Sequence, residues 1–254
     1  MSTPQCDPQH GDAVDPRTLA ACPYQIDKPT MLQGWRTLTF LHWRYPAEQV
    51  QRLLPPGLTI EEADGSGWVS LIPFRMEVGL PRVRRLPWAG QFCETNVRTY
   101  VADKAGRSGI WFFSLDAARL GAVSVARSAY RLPYFWSEMS LRQAGDRVEY
   151  RCRRRWPGPR GATSHAVIDV GAAYQDDETT PLENFLTARW ALFSVSGDRQ
   201  RFALARHDPW PLRRARLVSL DDDLVAAAGL PAPTGEPMVE FSEGVAVRIG
   251  AVQR

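Results

Sequence analysis

The sequence FCETNVRTYV, residues 92–101, departs from the pattern of a strand that has one face in water. Side chains on a strand alternate between its two faces, so every second residue shares one side. Four polar residues share one side of this strand: Glu94, Asn96, Arg98 and Tyr100. The alternation alone does not decide whether that side faces solvent or an interior.

The next predicted strand, GIWFFSLDA over residues 109–117, favours an interior. Its alternation gives one face with Trp111, Phe113 and Leu115 and another with Ile110, Phe112, Ser114 and Asp116. A strand that is apolar on both faces is usually covered on both sides. A strand paired beside it should be covered too, so Glu94 and Arg98 are expected to point into an enclosed polar cavity for a small molecule.

The composition describes a globular protein of 254 residues with a substantial core, since 44% of the residues are hydrophobic. A net charge of +3 permits an acidic ligand without requiring nucleic acid. Lys28 and Lys104 are the only lysines, which leaves few residues able to form an imine with a carbonyl substrate.

The cysteines indicate the compartment. The sequence has no C-x-x-C pair and no regular spacing among Cys6, Cys22, Cys93 and Cys152. This pattern disfavours a zinc site and a disulfide framework, so no metal is expected and the thiols should be reduced.

The N-terminus lacks a basic start followed by an apolar run, and no stretch is apolar enough for a membrane span. We therefore expect a soluble, cytoplasmic protein without a membrane partner.

Two regions differ in pattern. Residues 1–30 are rich in Pro, Asp, Thr and Gln without a sustained period, which predicts a disordered N-terminal arm. Residues 31–254 alternate strands of similar length with short helices, which predicts a single α+β domain that is mainly antiparallel β. A loop in this domain could draw anions toward a cavity mouth through Arg82, Arg84 and Arg85.

Other predicted elements carry further candidates for the cavity. His42 lies near the end of a strand, on the same face as Phe40, and Arg127 belongs to a helical stretch. Thr180 begins a capping box that opens a helix predicted to continue to about Ser194. Arg189 lies inside the apolar stripe of that helix, so it needs a carboxylate partner or a ligand anion.

The sequence VEYRCRRRWPG, residues 148–158, predicts a strand with arginines on both faces. Arg151, Arg153 and Arg155 lie on one face and Arg154 on the other. No aromatic interleaving, recognition helix or known module accompanies them. A solvated strand is therefore favoured over nucleic-acid binding.

Several motifs occur in order along the chain. They are HW at 42–43, LLPPGL at 53–58, ETNVRTYV at 94–101, WFFSLDA at 111–117, AR at 126–127, LPY at 132–134, LTARW at 186–190 and HDPWPL at 207–212. Together they resemble the YqjF-like family of uncharacterised bacterial proteins, within the acetoacetate decarboxylase-like superfamily. The resemblance runs from about residue 31 to the C-terminus. It implies a cone-shaped antiparallel β-barrel with short flanking helices, an active site inside it, and Glu94 at the position of a cavity glutamate.

The resemblance also shows a difference in chemistry. Acetoacetate decarboxylases carry a helix followed by Gly-Tyr-Pro-Lys-Lys, in which the first lysine forms the imine and the second lowers its pKa. The corresponding residues 131–135 of this chain contain no lysine. Schiff-base decarboxylation is therefore disfavoured, and no cofactor is implied.

The catalytic candidates are Glu94, Arg98 and Tyr134, and the candidates for substrate binding are Asn96, Asp116, Arg127, His42 and Arg189. Glu94 could act as a general acid or base, and Arg98 could bind a carboxylate. Tyr134 could donate to an oxyanion. The leading hypothesis is an imine-independent lyase, hydratase or isomerase for a small anionic carbonyl compound.

Two other interpretations are open. The first is a buried salt-bridge network that stabilises the fold, formed by Glu94, Arg98, Asp116 and Arg127. The second is a non-catalytic binding or sensory protein that uses the same cavity. The sequence decides neither the substrate nor whether the protein forms a homo-oligomer.

Overall fold

A computed structural model describes residues 21–81, 90–175 and 178–254. Residues 1–20 of the predicted arm lie outside these ranges, and so do Arg82, Arg84 and Arg85 of the predicted anion-attracting loop. Residues 21–30 form neither a helix nor a strand, although Ile26 is buried.

Twelve strands and four helices make up the described part of the chain. The strands are β1 Met31–Tyr45, β2 Leu58–Ile60, β3 Gly67–Gly79, β4 Gln91–Asp103, β5 Ser108–Ala117, β6 Tyr134–Ala144, β7 Arg147–Trp156, β8 Thr163–Ala173, β9 Ala191–Ser196, β10 Arg199–His207, β11 Leu212–Asp222 and β12 Met238–Ile249. The helices are α1 Ala47–Gln51, α2 Leu120–Val125, α3 Pro181–Thr187 and α4 Leu224–Ala227. A π-helical turn, Ala126–Tyr130, continues α2. Within these ranges, no helix has the length and apolar character needed to cross a membrane.

The strands form one sheet that closes on itself twice. The first closure, the seven-strand ring, runs through β1, β3, β4, β5, β9, β10 and β12. The second, the nine-strand ring, shares β12, β1, β3, β4 and β5 with the first and adds β6, β7, β8 and β11. Among the described strands, only β5 with β6 and β5 with β9 pair in parallel. The predicted α+β fold, mainly antiparallel, is confirmed.

The five shared strands have an interior on both sides, because each ring encloses one of their faces. On β4, Val97 belongs to the apolar cluster of the nine-strand ring, together with Leu71 and Phe241. Glu94 and Arg98 are buried on the opposite face. Fully burying an aliphatic side chain contributes about 1.5–3 kcal/mol, so the apolar faces stabilise the closed sheet. The polar residues on the opposite faces of the same strands are thereby held in position.

An irregularity in β5 changes which of its residues face each ring. β5 has one more residue than β4 between the pairs Val97–Ser114 and Arg98–Phe112, so Phe113 forms a bulge. The extra residue interrupts the alternation of faces. Asp116 therefore does not share a face with Phe112, as regular alternation predicts, but faces the nine-strand ring.

β1 has a similar irregularity relative to β3, between Arg36 and Leu41. Thr37 lies within it and has a left-handed φ of 48°. Trp35 and Leu38 consequently both line the interior of the seven-strand ring. Regular alternation along the sequence places these two side chains on opposite faces, so that prediction is wrong.

The predicted capping box is present, because the Thr180 side chain accepts from the Glu183 N–H and the Glu183 side chain accepts from the Thr180 N–H. The predicted extent of the helix to about Ser194 is wrong. α3 ends at Thr187, and residues 191–196 form β9, whose backbone pairs with β10 and β5. Arg189 therefore lies in the connection between α3 and β9.

Gly244 on β12 pairs with Arg36, beside the irregular part of β1, and has a φ of 119°. A Cβ atom at this position would lie 1.8 Å from the Trp35 carbonyl oxygen. We expect Gly244→Ala to lower the free energy of unfolding by about 3 kcal/mol or more, measured by urea denaturation.

The control for this change is Gly145→Ala. Gly145 also has a left-handed φ, 59°, but its Cβ would meet nothing within 4 Å. Its expected cost is about 1–2 kcal/mol, from backbone conformation alone. Equal costs for the two substitutions would contradict the proposed clash with Trp35.

Candidate functional site

A cavity of about 360 Å³ occupies the interior of the seven-strand ring, and each of the seven strands contributes to its wall. Much of the wall is apolar, through residues such as Leu38, Ile72, Phe74, Phe92, Phe112 and Leu115. Buried polar side chains also line it, among them Glu94, Asn96, Arg98, Tyr134 and Arg189. An apolar cavity of this size with a few converging polar groups is typical of a small-molecule site.

Glu94 and Tyr134 contact each other in the cavity, where the Tyr134 O–H donates to Glu94 Oε2 at 3.0 Å. Burial raises the pKa of Glu94 to about 8, because the loss of water outweighs the hydrogen bond from Tyr134. The charge of Asp116 adds to this increase. Burial and the neighbouring Glu94 raise the pKa of Tyr134 well above its ordinary value. At neutral pH Glu94 is therefore mainly an uncharged acid.

Arg98 lies on the same face of β4, farther along the cavity. Its Nη2 donates to the Leu186 carbonyl oxygen at 3.0 Å, and its guanidinium lies over the rings of Phe40 and Tyr100. Its Nε is buried and has no hydrogen-bond partner among the described residues. A buried donor without an acceptor is costly, which makes this nitrogen available to a ligand.

Arg189 reaches the same end of the cavity from the connection between α3 and β9. Its guanidinium lies 5.2 Å from the centroid of the Tyr100 ring, and that of Arg98 lies 5.6 Å from the same centroid. Glu61 is 3.5 Å from Arg189 Nη2, which is an ion pair longer than an ordinary hydrogen bond. In the described part of the chain, Arg189 Nε has no partner. Two buried guanidiniums therefore lie near the Tyr100 ring, and one of them, Arg189, is paired with Glu61.

The structure thus brings together five of the eight predicted site residues: Glu94, Asn96, Arg98, Tyr134 and Arg189. It does not place the other three in the cavity wall. These are His42, Asp116 and Arg127.

His42 instead belongs to a buried network next to the arginines. Its Nδ1 lies 2.6 Å from Ser70 Oγ, and its Nε2 lies 3.4 Å from a carboxylate oxygen of Glu240. Ser70 Oγ lies 2.6 Å from Tyr100 Oη. Burial lowers the pKa of His42 despite the opposing effect of Glu240, so its ring is neutral at pH 7. His42 therefore supports Tyr100 instead of lining the cavity.

Asp116 faces the nine-strand ring because of the bulge at Phe113. Arg154 donates to both carboxylate oxygens, through Nε at 2.8 Å and Nη2 at 2.6 Å, and Ser137 donates at 2.7 Å. Both charged side chains are buried. The prediction that Arg154 is solvated is wrong, while the other strand face is exposed at Arg151, Arg153 and Arg155.

Arg127 forms a hydrogen bond with the backbone near the site. Its Nη1 donates to the Tyr134 carbonyl oxygen at 2.6 Å, at the start of β6. Within the described residues, none of the ion pairs joins Glu94, Arg98, Asp116 and Arg127 to one another. This arrangement contradicts the alternative of a stabilising salt-bridge network formed by those four residues.

Sequence reasoning missed Trp35, Trp210 and Glu61. Trp35 and Trp210 stack along the cavity wall with their ring centroids 5.9 Å apart. Only knowledge of the irregularity at Thr37 would have placed Trp35 in the wall. The burial of Arg189 signals a partner, but nothing in the sequence identifies that partner as Glu61.

The cavity lacks the groups for imine or metal chemistry within the described residues. Lys28 and Lys104 both belong to them, and neither lines the cavity. No group of three or more His, Cys, Asp or Glu side chains in those ranges could hold a metal ion.

Solved structures define the class of protein to which this fold belongs. The enduracididine biosynthesis enzyme MppR, complexed with pyruvate, has a TM-score of 0.60 and 15% identity, covering 90% of this chain and 91% of that chain. An acetoacetate decarboxylase-like enzyme from Sphingomonas wittichii RW1 has a TM-score of 0.60 and 14% identity, covering 89% of this chain and 93% of that chain. The fold is that of the acetoacetate decarboxylase-like proteins, as the sequence resemblance implied.

Sequence comparisons define the family. The model of DUF2071, an uncharacterized conserved protein, matches residues 32–246. The uncharacterized protein YqjF of Bacillus subtilis (strain 168) is 31% identical over 214 residues, which is 84% of this chain and 87% of YqjF. The chain belongs to the DUF2071 family, and its resemblance to YqjF is confirmed.

The buried pair of Asp116 and Arg154 leads to a prediction about stability. Arg154→Met should lower the free energy of unfolding by about 3–5 kcal/mol, because it leaves a buried carboxylate without its cation. The double variant Asp116→Ala/Arg154→Met should recover much of that loss. Arg153→Met, at an exposed neighbouring position, is the control and should change little. The interpretation fails if Arg154→Met and Arg153→Met are equally stable in denaturant titrations.

Proposed function

We propose that the chain is an enzyme that transfers protons on a small anionic carbonyl compound without forming an imine. Its class would be a lyase, hydratase or isomerase. The observation that carries this proposal is the hydrogen bond from Tyr134 to Glu94 inside a cavity that also contains two buried arginines. A carboxyl group in reach of a bound molecule, with a pKa near the working pH, is suited to general acid–base catalysis.

The two protonation states of Glu94 have different roles. As a carboxylate, it takes a proton from the carbon beside the substrate carbonyl, and the electrons of that C–H bond form an enolate. As Glu94 takes up this proton, the Tyr134 O–H turns from Glu94 and donates its hydrogen bond to the enolate oxygen. Glu94, now protonated, returns its proton to another carbon in an isomerisation, or to a departing hydroxyl group that leaves as water in a dehydration.

The arginines suit the anionic part of the substrate. Arg98 and Arg189 have unpaired donors at the same end of the cavity, and guanidinium groups bind carboxylates through paired hydrogen bonds. The structural neighbour MppR has been solved in complex with pyruvate, an anionic carbonyl compound, which supports a ligand of this kind in the present fold.

Deuterium exchange tests the proposal directly. The protein is incubated in D₂O with a panel of oxo acids and β-hydroxy acids, and exchange beside the carbonyl is followed by NMR. Glu94→Gln should lower the exchange rate by about 100-fold or more, and Tyr134→Phe by about 10- to 100-fold, with both variants folded. Glu138→Gln, at an exposed glutamate on β6, is the control and should retain the full rate.

The same experiment decides between an enzyme and a binding protein. A compound that binds to the cavity but is neither exchanged nor consumed would favour the non-catalytic binding or sensory function. Equal exchange by the wild type and Glu94→Gln would reject Glu94 as the proton carrier.

The raised pKa of Glu94 also predicts how stability depends on pH. The folded state holds the Glu94 proton up to a pKa of about 8, whereas the ordinary value is 4.5. Between these two values the folded protein therefore binds more protons than the unfolded chain. The stabilisation that comes from the Glu94 proton is fully present below the lower value and is lost as pH rises toward the higher one. We expect a decrease of a few kcal/mol for the wild type and a smaller one for Glu94→Gln, measured by denaturation at several pH values. Equal pH dependence of both proteins would contradict the raised pKa.

A further inference from the structure

The polar groups of the cavity lie at two separate ends. Glu94 and Arg98 are four residues apart on β4, which places their Cα atoms about 13 Å apart, since a strand rises about 3.3 Å per residue. The Arg98 guanidinium lies over the rings of Phe40 and Tyr100 and donates to the Leu186 carbonyl oxygen, whereas Glu94 accepts from Tyr134. The two side chains therefore contact different parts of a ligand that spans the cavity.

The wall between the two ends is mainly apolar. Asn96 lies midway on β4, and its direct neighbours on the adjacent strands are Ile72 and Leu115. All three side chains line the cavity. A ligand that spans the cavity therefore meets a mainly apolar wall in its middle section, where Asn96 Oδ1 is the one unpaired buried polar atom that these three residues contribute.

One end of the cavity, lined by Arg98 and Arg189 and called the arginine end, suits one anionic group. Arg98 and Arg189 both lie against the Tyr100 ring, and Glu61 is the nearby carboxylate. Arg98 Nε and Arg189 Nε are buried and have no hydrogen-bond partner among the described residues. Each of these nitrogens can donate to a carboxylate bound at this end of the cavity.

We propose that the ligand of this cavity is an elongated carboxylic acid, with its carboxylate on Arg98 and Arg189 and its carbonyl group at Glu94 and Tyr134. The position of the carbonyl rests on the proposed function, while the position of the carboxylate does not. Side chains stand roughly perpendicular to a sheet, so the Cα spacing of about 13 Å approximates the spacing of the two ends, and allowing about 3 Å for a hydrogen bond at each end leaves about 7 Å for the ligand. At about 1.2 Å of extension per bond, this distance corresponds to five or six bonds. A 2-oxo or 3-oxo acid is too short to reach both ends.

Binding of a homologous series tests the length of the ligand without requiring turnover. Saturated carboxylates from acetate to decanoate are titrated into the full chain by calorimetry. Affinity should increase about fourfold per methylene up to about octanoate and then level off, because each added methylene is buried in the apolar section. Equal affinity for acetate and octanoate would overturn the proposal.

The Arg98→Met variant tests the carboxylate position. Tyr100 Oη also donates to the Leu186 carbonyl oxygen, at 2.7 Å, so removing Arg98 leaves that oxygen paired and the variant should fold. Octanoate should bind at least tenfold more tightly than 1-octanol to the wild type and to the exposed control Arg142→Met. In Arg98→Met the preference should be lost. A preserved preference would overturn the assignment of the carboxylate to this end.

Scanning the carbonyl position separates this inference from the proposed function. 7-Oxooctanoate, with six bonds between its carboxyl and carbonyl carbons, should exchange deuterium faster than 2-oxooctanoate, in a reaction that depends on Glu94. Faster exchange of 2-oxooctanoate would overturn the inference while supporting the proposed function. Tight, length-dependent binding without exchange of either compound would reject the proposed function and retain the carboxylate site.

Discussion

Burial of β4 on both faces is the constraint on which the rest of the structure depends. The sheet closes into two rings that share this strand, so neither face can leave a polar group in water. The face toward the nine-strand ring meets this requirement with apolar residues such as Val97. The opposite face carries Glu94, Asn96 and Arg98, whose hydrogen-bonding groups must find partners in the protein or in a ligand.

Buried charged side chains have different partners on the two faces of the shared strands. Toward the nine-strand ring, Arg154 donates two hydrogen bonds to the carboxylate of Asp116 and Ser137 donates a third, while Arg154 Nη1 is buried without a partner among the described residues. Toward the cavity, Arg98 and Arg189 have donors without acceptors. Unpaired buried donors lower stability, and proteins retain such groups where binding or catalysis uses them. The difference between the two sites is the carboxylate: Arg154 is paired with Asp116, whereas the hydrogen bond of Arg98 goes to a backbone carbonyl oxygen. We therefore infer a structural role for the first pair and, under the proposed function, a ligand-binding role for Arg98 and Arg189.

The sequence predicted the parts that follow from regular periodicity. Alternation along residues 92–101 correctly grouped Glu94 with Arg98, because β4 has no extra residue between them. The same reasoning failed for Asp116 and Trp35, because each lies beyond a single inserted residue that sequence patterns do not show. The helix containing Arg189 was extended too far, because β9 forms a hairpin with β10 and pairs with the distant strand β5, which overrides local helical spacing.

The two ends of the cavity differ in charge. No ammonium group of the described residues lines the cavity, and Glu94 has a phenol as its partner, so no adjacent cation opposes the effect of burial on its pKa. The Glu94 end is therefore mainly uncharged at neutral pH, while the opposite end has two guanidiniums, of which Arg189 is paired with Glu61. An anionic ligand has its lowest energy with its charge at the arginine end. Under the proposed function, the absence of an amine beside Glu94 favours acid–base chemistry over imine chemistry, and the two arginines orient the ligand with its uncharged end at the acid.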